Sequence, residues 1–452
     1  MTSPVSASSS GPSQPLARRL GLFDAIMLVM GGTIGSGIFI NPYVVAQRVH
    51  TPALVLGAWL LGGIVALIGG FIWAELADRM PEVGGQYAYL RDTYHPLIAF
   101  LYGWVLLLVI QTGGMAAVTV TFSRYFLELT GIRSGEWQIS LITLLVLTVV
   151  NCLGVRAGGT VQSALMVIKI FAIAMLVVVG GFLIHGTHIQ WQPVLDQKLS
   201  PELMSTFGGA MVPVLFAYGG WQTACFVAGE LKQPRRDLPR ALILGVIGVA
   251  VLYSSVNFIC VRALGVNGLA ATTTPASAVM RAALGQKGAV IIALGIAIST
   301  LGFLSQSVLT APRVYFAMAE DRVFFRQLAW VHPTTRVPVL AITVQSVWTF
   351  VILRSGRYDQ ILNYVTAMDF IFFALTASCV FMLRRRDARL AVTSHFRVPG
   401  HPWTTGFFCV VSVSVVLNAI YRFPGNTLTG IAILATGVPV YYIWKRIANE
   451  HA

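Results

Sequence analysis

Four glycines fall within seven residues in Gly31-Gly32-Thr33-Ile34-Gly35-Ser36-Gly37-Ile38-Phe39, inside an otherwise apolar run. In a water-exposed helix each glycine costs about 1 kcal/mol relative to alanine. In a membrane such a stretch has two uses. One is close helix packing through small residues. The other is a broken helix. An unwound segment at mid-membrane depth leaves N–H groups free at the start of the outer half-helix, and the helix dipole lets them hold a carboxylate. A second apolar run carries Phe216-Ala217-Tyr218-Gly219-Gly220-Trp221, again with glycines at its middle. Two glycine-interrupted runs at corresponding places in the chain fit an inverted repeat with one shared substrate site.

Isolated ionisable residues add to this set. Lys169 stands inside the run Val167-Ile168-Lys169-Ile170-Phe171. A lysine at membrane depth costs about 3 kcal/mol on insertion scales, so it requires a role. The options are snorkelling, or a fixed ammonium that bonds unwound carbonyls of the first span in place of a coupling cation. Asp369, in Ala367-Met368-Asp369-Phe370, reads either as a carboxylate paired with a nearby hydroxyl or cation, or as a substrate or proton contact. Glu75 and Glu230 lie at the inner ends of their spans and are expected to pair with loop arginines, closing that side. Span three has no carboxylate between Pro96 and Ser123 but carries Gln111, Thr112, Thr119 and Thr121, which serve packing or line the pocket.

The elements that position these residues are membrane helices. Of 452 residues, 56% are apolar and 11% charged, and the mean hydropathy is +0.75. A soluble domain has about 25% charged residues. Too few polar residues are present to cover a water-facing surface, so the chain reads as an all-α integral membrane protein of roughly 12 spans. Spans are predicted at 21–45, 53–77, 96–127, 138–155, 161–184, 203–228, 239–263, 287–319, 338–354, 360–383, 404–421 and 428–445. Short surface helices are predicted from Gly84 to Thr93 and from Pro275 to Leu284.

The net charge of +14 is spread through the gaps between apolar runs rather than gathered on one stripe, which argues against nucleic acid. With the N-terminus placed in the cytoplasm, 20 of the 31 lysines and arginines fall on the inner side and 10 on the outer, with Lys169 inside a span. That excess predicts cytoplasmic N- and C-termini in the cell membrane. The five cysteines all lie in apolar runs without metal-ligand spacing, so no metal, disulfide or cofactor is expected. Met1 to Pro15 is rich in Ser and Pro and reads as disordered, and no cleavable signal peptide is evident. The expected organisation is a tail (1–18), a first repeat (19–190), a second repeat (191–386) and two further spans (387–452).

At these residues the chain resembles the amino acid–polyamine–organocation (APC) superfamily, and within it the L-type amino acid transporter family and its bacterial relatives. Gly32 to Phe39 resembles the first-helix substrate motif of that family. Ala74-Glu75-Leu76 with Met80-Pro81-Glu82-Val83-Gly84-Gly85-Gln86-Tyr87 resembles its second helix and first inner loop. Phe216 to Trp221, followed by Glu230-Leu231-Lys232-Gln233-Pro234-Arg235-Arg236-Asp237-Leu238-Pro239, resembles its sixth helix and inner loop. The resemblance runs from about Leu20 to Arg386.

It implies a LeuT-like five-plus-five inverted repeat with unwound helices 1 and 6, and alternating access. It also implies a substrate site formed by Ile34, Ser36, Gly37 and Ile38 with Phe216, Ala217, Tyr218 and Gly219, to which Asp369 is added. The substrate carboxylate would rest on backbone N–H groups near Ser36, Gly37 and Ile38, and its ammonium on carbonyls from Phe216 to Tyr218. Phe216 resembles an outer gate. Lys169 falls where the family carries its fifth-helix lysine, which implies sodium independence. The family mechanism this suggests is exchange of one amino acid for another, with neutral L-amino acids as substrates.

The sequence departs from the family at Gly302-Phe303-Leu304-Ser305-Gln306 and Ala311-Pro312-Arg313, and at Asp369, where the family is often neutral. The loop Glu128 to Trp137 has no cysteine, so a disulfide-linked heavy chain is not expected. A proton-coupled symporter is the same-class alternative, with Lys169 or Asp369 titrating. A membrane enzyme would need a polar catalytic set, yet the eight histidines all lie in predicted loops or span ends without partners at motif spacing. No sequence resembles a channel filter.

Overall fold

The computed structural model describes residues 20–81, 84–153, 159–184, 189, 191–195, 198–333, 337–355, 358–390 and 395–450. The predicted N-terminal tail lies outside them, as do Glu82 and Val83 of the inner-loop motif and Arg156, Arg336 and Arg357 of the charge pattern. The described residues are helical apart from short connections, with one isolated bridge between Leu20 and Leu231. Lipid leaves no alternative within one chain short of a barrel, because every backbone group must find its partner inside the segment.

In chain order the helices are α1 (Leu22–Thr33), α2 (Gly37–Ala46), α3 (Pro52–Arg79), α4 (Gln86–Thr93) and α5 (Pro96–Thr130). Next come α6 (Glu136–Cys152), α7 (Gly159–Leu183), α8 (Pro201–Tyr218) and a 3₁₀ segment, Trp221–Glu230. The remainder are α9 (Pro234–Ala270), α10 (Pro275–Glu320, with a turn at Ala311), α11 (Val339–Ser355), α12 (Tyr358–Leu390), α13 (Trp403–Arg422) and α14 (Pro424–Glu450). Among the described residues, 10 helical stretches are long and apolar enough to cross a membrane, and α6 and α11 are shorter apolar helices.

Two of the short-helix expectations change. The predicted surface helix from Pro275 to Leu284 is continuous with the following span and only kinks at Gly285, whose φ is +67°. The other, α4, is not a free surface helix, since Gln86, Tyr87, Ala88, Tyr89 and Leu90 are all buried.

Packing sorts the helices by their sequence. α3 lies along α9, α7 along α10, and α1 against both α9 and the 3₁₀ segment. Large apolar side chains at the rim point outward: Leu145 and Val149 on α6, Phe171 and Phe182 on α7, Val410 and Leu417 on α13. Polar side chains instead line the interior, where Asn41, Glu75, Thr119 and Gln345 are wholly buried. An interior more polar than the rim is the arrangement expected where lipid is the outer solvent.

Candidate functional site

The first apolar run is broken where its glycines fall. α1 ends at Thr33, residues 34–36 are non-helical, and α2 starts at Gly37. The Ile34 N–H still reaches back to Met30 O (2.7 Å), and the Ser36 carbonyl takes the first bonds of α2 from Phe39 (3.1 Å) and Ile40 (3.2 Å). The N–H groups of Ser36, Gly37 and Ile38 donate to no described group. They form the unsatisfied positive end of a helix that begins in the protein interior.

The sixth run breaks at its own glycines. α8 ends at Tyr218, and Gly220 adopts φ +104°, a conformation that L side chains rarely adopt, before the chain tightens into the 3₁₀ segment. Gly219 N–H closes onto Phe216 O at 3.1 Å, while the carbonyls of Ala217, Tyr218 and Gly219 accept no described hydrogen bond.

The two breaks touch. A Cβ added at Gly220 would lie 2.0 Å from Gly32 O, and one added at Gly37 would lie 2.5 Å from Ala217 Cα. Glycine is therefore required at both positions by the neighbouring backbone. A larger residue at 37 parts α2 from α8 before it fills any carboxylate site.

Ser36, Gly37, Phe216, Ala217, Gly219 and Asp369 line one cavity of about 760 Å³, counting its open mouth. Three other expected residues do not show their side chains to it. Ile34 and Ile38 are buried in the core, and Tyr218 packs against Trp59 and Tyr253, so these three can serve only through their backbone. From span three Gln111 lines the cavity, whereas Thr112, Thr119 and Thr121 donate to carbonyls of their own helix. Phe303, Gln306, Ser307 and Thr310 of α10 complete the wall. No feature of the sequence around Phe303 and Gln306 marks them as wall residues.

Lys169 sits behind the first break. Its Nζ donates to Ile34 O at 2.6 Å and stands 5.8 Å over the Phe303 ring. Beside it, Tyr253 donates to Thr33 O at 3.0 Å. The Ile34 and Thr33 carbonyls at the break are therefore held by α7 and α9. Asp369, near the middle of α12, differs from the expectation of a hydroxyl or cation partner. It accepts no hydrogen bond and forms no ion pair with any described residue.

Beyond the breaks the two ends of the molecule are built differently. Pro213 has no N–H, so the Gly209 carbonyl in α8 loses its helical partner. The Arg48 guanidinium donates to that carbonyl instead. Asn41 donates to Pro213 O (2.6 Å) and accepts from Tyr358 (3.0 Å), and Tyr125 donates to Phe39 O (3.0 Å). These bonds join α2 and α8 to each other and to α5 and α12.

At the opposite end Glu75 is wholly buried. It binds Arg384 (2.6 Å), Arg79 (2.7 Å) and the Val398 N–H (2.6 Å). Its arginines stand on helices rather than on loops, which corrects the expectation. Asp78 takes the His395 and Phe396 N–H groups, and Arg79 also reaches Asp387. Glu230 meets Arg313 at 3.6 Å. Leu20 pairs with the backbone of Glu230 and Lys232, which joins the start of α1 to the end of the 3₁₀ segment. Tyr87 donates to Asp321 at 2.8 Å, and burial together with that carboxylate pushes its phenol well above the usual range, so it stays a donor.

No group of His, Cys, Asp and Glu among the described residues could hold a metal ion, and the five cysteines are free thiols. The site offers backbone donors at one break, backbone acceptors at the other, and one unmatched carboxylate.

Comparison with known proteins agrees with this geometry. The family model for amino acid permeases matches residues 20–444. The serine/threonine exchanger of Bacillus subtilis is 33% identical over 439 residues, covering 95% of this chain and 98% of that protein. The human large neutral amino acids transporter small subunit 2 is 29% identical over 447 residues, covering 97% and 82%. The human cystine/glutamate transporter is 27% identical over 454 residues, covering 96% and 88%. The chain thus belongs to the amino acid permease family of the APC superfamily: it is a multi-pass membrane transporter and not an enzyme.

Proposed function

We propose that the protein exchanges L-amino acids, neutral ones among them, across the cell membrane without sodium. The observation that carries this reading is the pairing of the two breaks. Residues with free N–H groups at the start of α2 (Ser36 and Gly37) and residues with free carbonyls at the end of α8 (Ala217 and Gly219) line the same cavity. A free amino acid carries a carboxylate and an ammonium a few ångströms apart and is complementary to both. Helix N-termini favour anions and helix C-termini favour cations, each by a fraction of 1 kcal/mol up to about 2 kcal/mol in buried geometry. Lys169 supplies a fixed positive charge on the Ile34 carbonyl, where a bound cation would otherwise be needed to hold the unwound backbone.

In this reading α6 and α11 cross the membrane with the longer helices, giving 12 spans. Residues 19–190 and 191–386 form the two inverted repeats of a LeuT-like fold, and residues 387–452 add the last two spans. Both termini lie in the cytoplasm, as the lysine and arginine distribution favours. The cavity is walled by the 3₁₀ segment and the latter part of α10 but by no described residue of α2 beyond Gly37, which favours an inward-facing state with Phe216 as the outer gate. Substrate binding biases the equilibrium between inward and outward states, and an empty carrier crosses slowly, which makes transport an exchange. Glu75 and Glu230 brace the inner end. The absence of cysteine between Glu128 and Trp137 favours a carrier that works without a disulfide-linked partner. The serine/threonine exchanger and the other relatives support the same activity class.

The test is uptake into proteoliposomes of the purified protein at equal pH, with no sodium. Vesicles loaded with an amino acid should take up radiolabelled amino acid at least tenfold faster than empty ones. If empty vesicles fill equally fast, or fill only under an imposed proton gradient, exchange is wrong and proton-coupled symport replaces it.

A further inference from the structure

We propose that Asp369 sets the side-chain class of the substrate. The cavity takes L-amino acids whose side chain ends in a hydrogen-bond donor, hydroxyl or ammonium, over aliphatic ones of the same shape. The inference rests on the reading of this cavity as the amino acid site. Among the described residues that line the cavity, Asp369 is the only ionisable one. No described residue gives its carboxylate a hydrogen bond or an ion pair. Two amides that line the cavity turn to backbone carbonyls, Gln111 to Ser307 O (3.5 Å) and Gln306 to Leu28 O (3.4 Å), and Lys169 behind the first break binds Ile34 O (2.6 Å).

The accounting of charges then decides. A bound amino acid has its own carboxylate matched at the start of α2 and its own ammonium matched at the end of α8. Asp369 is left over. An ionised carboxylate is acceptor-only, and a protonated one still keeps an acceptor oxygen, so either form wants a donor. Once a substrate excludes water from the cavity, an aliphatic side chain leaves that oxygen unsatisfied, whereas a hydroxyl or an ammonium satisfies it. Sites built around a buried polar group discriminate strongly against analogues that lack its partner, whereas one methylene changes rates by only roughly 10–200-fold.

Isosteric pairs isolate this effect. Counterflow into proteoliposomes is measured for threonine against valine and for lysine against norleucine, with the parent, Asp369→Asn and Asp369→Leu. In the parent the donor member of at least one pair should be favoured by roughly tenfold or more in kcat/KM. Preference for threonine alone marks a hydroxyl site, and preference for lysine marks a site for cationic side chains. Asp369→Leu should erase or invert the preference. Asp369→Asn, which keeps an acceptor oxygen, should retain more of the threonine preference than of the lysine preference.

The proposal is overturned if valine and norleucine match their partners in the parent, or if the preference survives Asp369→Leu. Should the leucine variant not fold, the parent and Asp369→Asn carry the same comparison. Thermal stabilisation of the purified parent by the four amino acids reads the preference without transport. Absence of counterflow with the donor preference intact there defeats the exchange reading alone.

Discussion

The two ends of the molecule are held together by different chemistry. At the Arg48 end the ties run from neutral side chains and one arginine onto backbone carbonyls of α2 and α8, the half-helices that begin or end at the site. At the Glu75 end the ties are ion pairs and charge-assisted bonds that clasp α3 to α12 and to residues 395–398. The first set can exist only when the half-helices are swung in against α5 and α12. The second holds α3 to α12 without touching either break. Single neutral hydrogen bonds contribute about 1 kcal/mol each, a scale that suits a closure made and broken every cycle. A buried carboxylate held by two arginines costs several kcal/mol to break and suits a permanent joint.

That contrast can be attacked from both sides. The largest effect belongs to Glu75→Gln. Removing the carboxylate strands Arg384, leaves Arg79 with Asp387 alone, and should lower stability by roughly 3–5 kcal/mol, read as a large drop in melting temperature of the purified protein in detergent. A small drop would mean that the Glu75 end is a gate and not a joint. Lys169→Met comes next and separates transport from stability. Losing a charged hydrogen bond costs about 1.5–3 kcal/mol, but losing a buried ammonium recovers much of this by removing its desolvation cost. Exchange should therefore fall by at least roughly 100-fold, which corresponds to about 2.7 kcal/mol, while the melting temperature moves little. Equal losses in both would assign Lys169 to folding alone.

Asn41→Ala removes both the bond to Pro213 O and the bond from Tyr358. It should loosen the Arg48 end by about 1–3 kcal/mol, read as faster hydrogen exchange in α2 and the end of α8 with α3 unchanged. Unaltered exchange in α2 would show that this closure does not depend on those bonds. The smallest effect is Arg313→Gln. Its partner Glu230 is 3.6 Å away and both side chains are partly exposed, so the change in stability should stay under about 1 kcal/mol.

The breaks were legible in the sequence because glycine clusters in long apolar runs are locally costly, and Gly31 to Gly37 and Gly219-Gly220 mark the interruptions directly. Lys169 was legible for the same reason, as a charge that lipid does not tolerate without a function. The closing bonds at the Arg48 end were not. Asn41, Tyr125 and Tyr358 act on backbone carbonyls or on each other, and such pairing has no residue-type signature. One local signal was present: Pro213 inside an apolar helix leaves the Gly209 carbonyl needing a donor, though nothing local names Arg48. Glu75 was legible as a carboxylate that needs cations. Arg384, more than 300 residues away in sequence, could be supplied only by the tertiary fold. The side chains of Ile34, Ile38 and Tyr218 turn into the core because a motif specifies where the backbone unwinds, not which way each side chain points.

In the proposed exchange cycle the two helix breaks together read the two charges of a free amino acid. The most direct test is binding of matched ligands to the purified protein by calorimetry: a transported L-amino acid, its decarboxylated amine, its 2-hydroxy acid and its D-enantiomer. Measurable heat is expected for the L-amino acid alone, with each analogue at least roughly tenfold weaker because one charge or the relative placement of both is lost. If the amine or the hydroxy acid binds as tightly as the parent amino acid, the free N–H groups at Ser36 to Ile38, or the free carbonyls at Ala217 to Gly219, are not the substrate contacts.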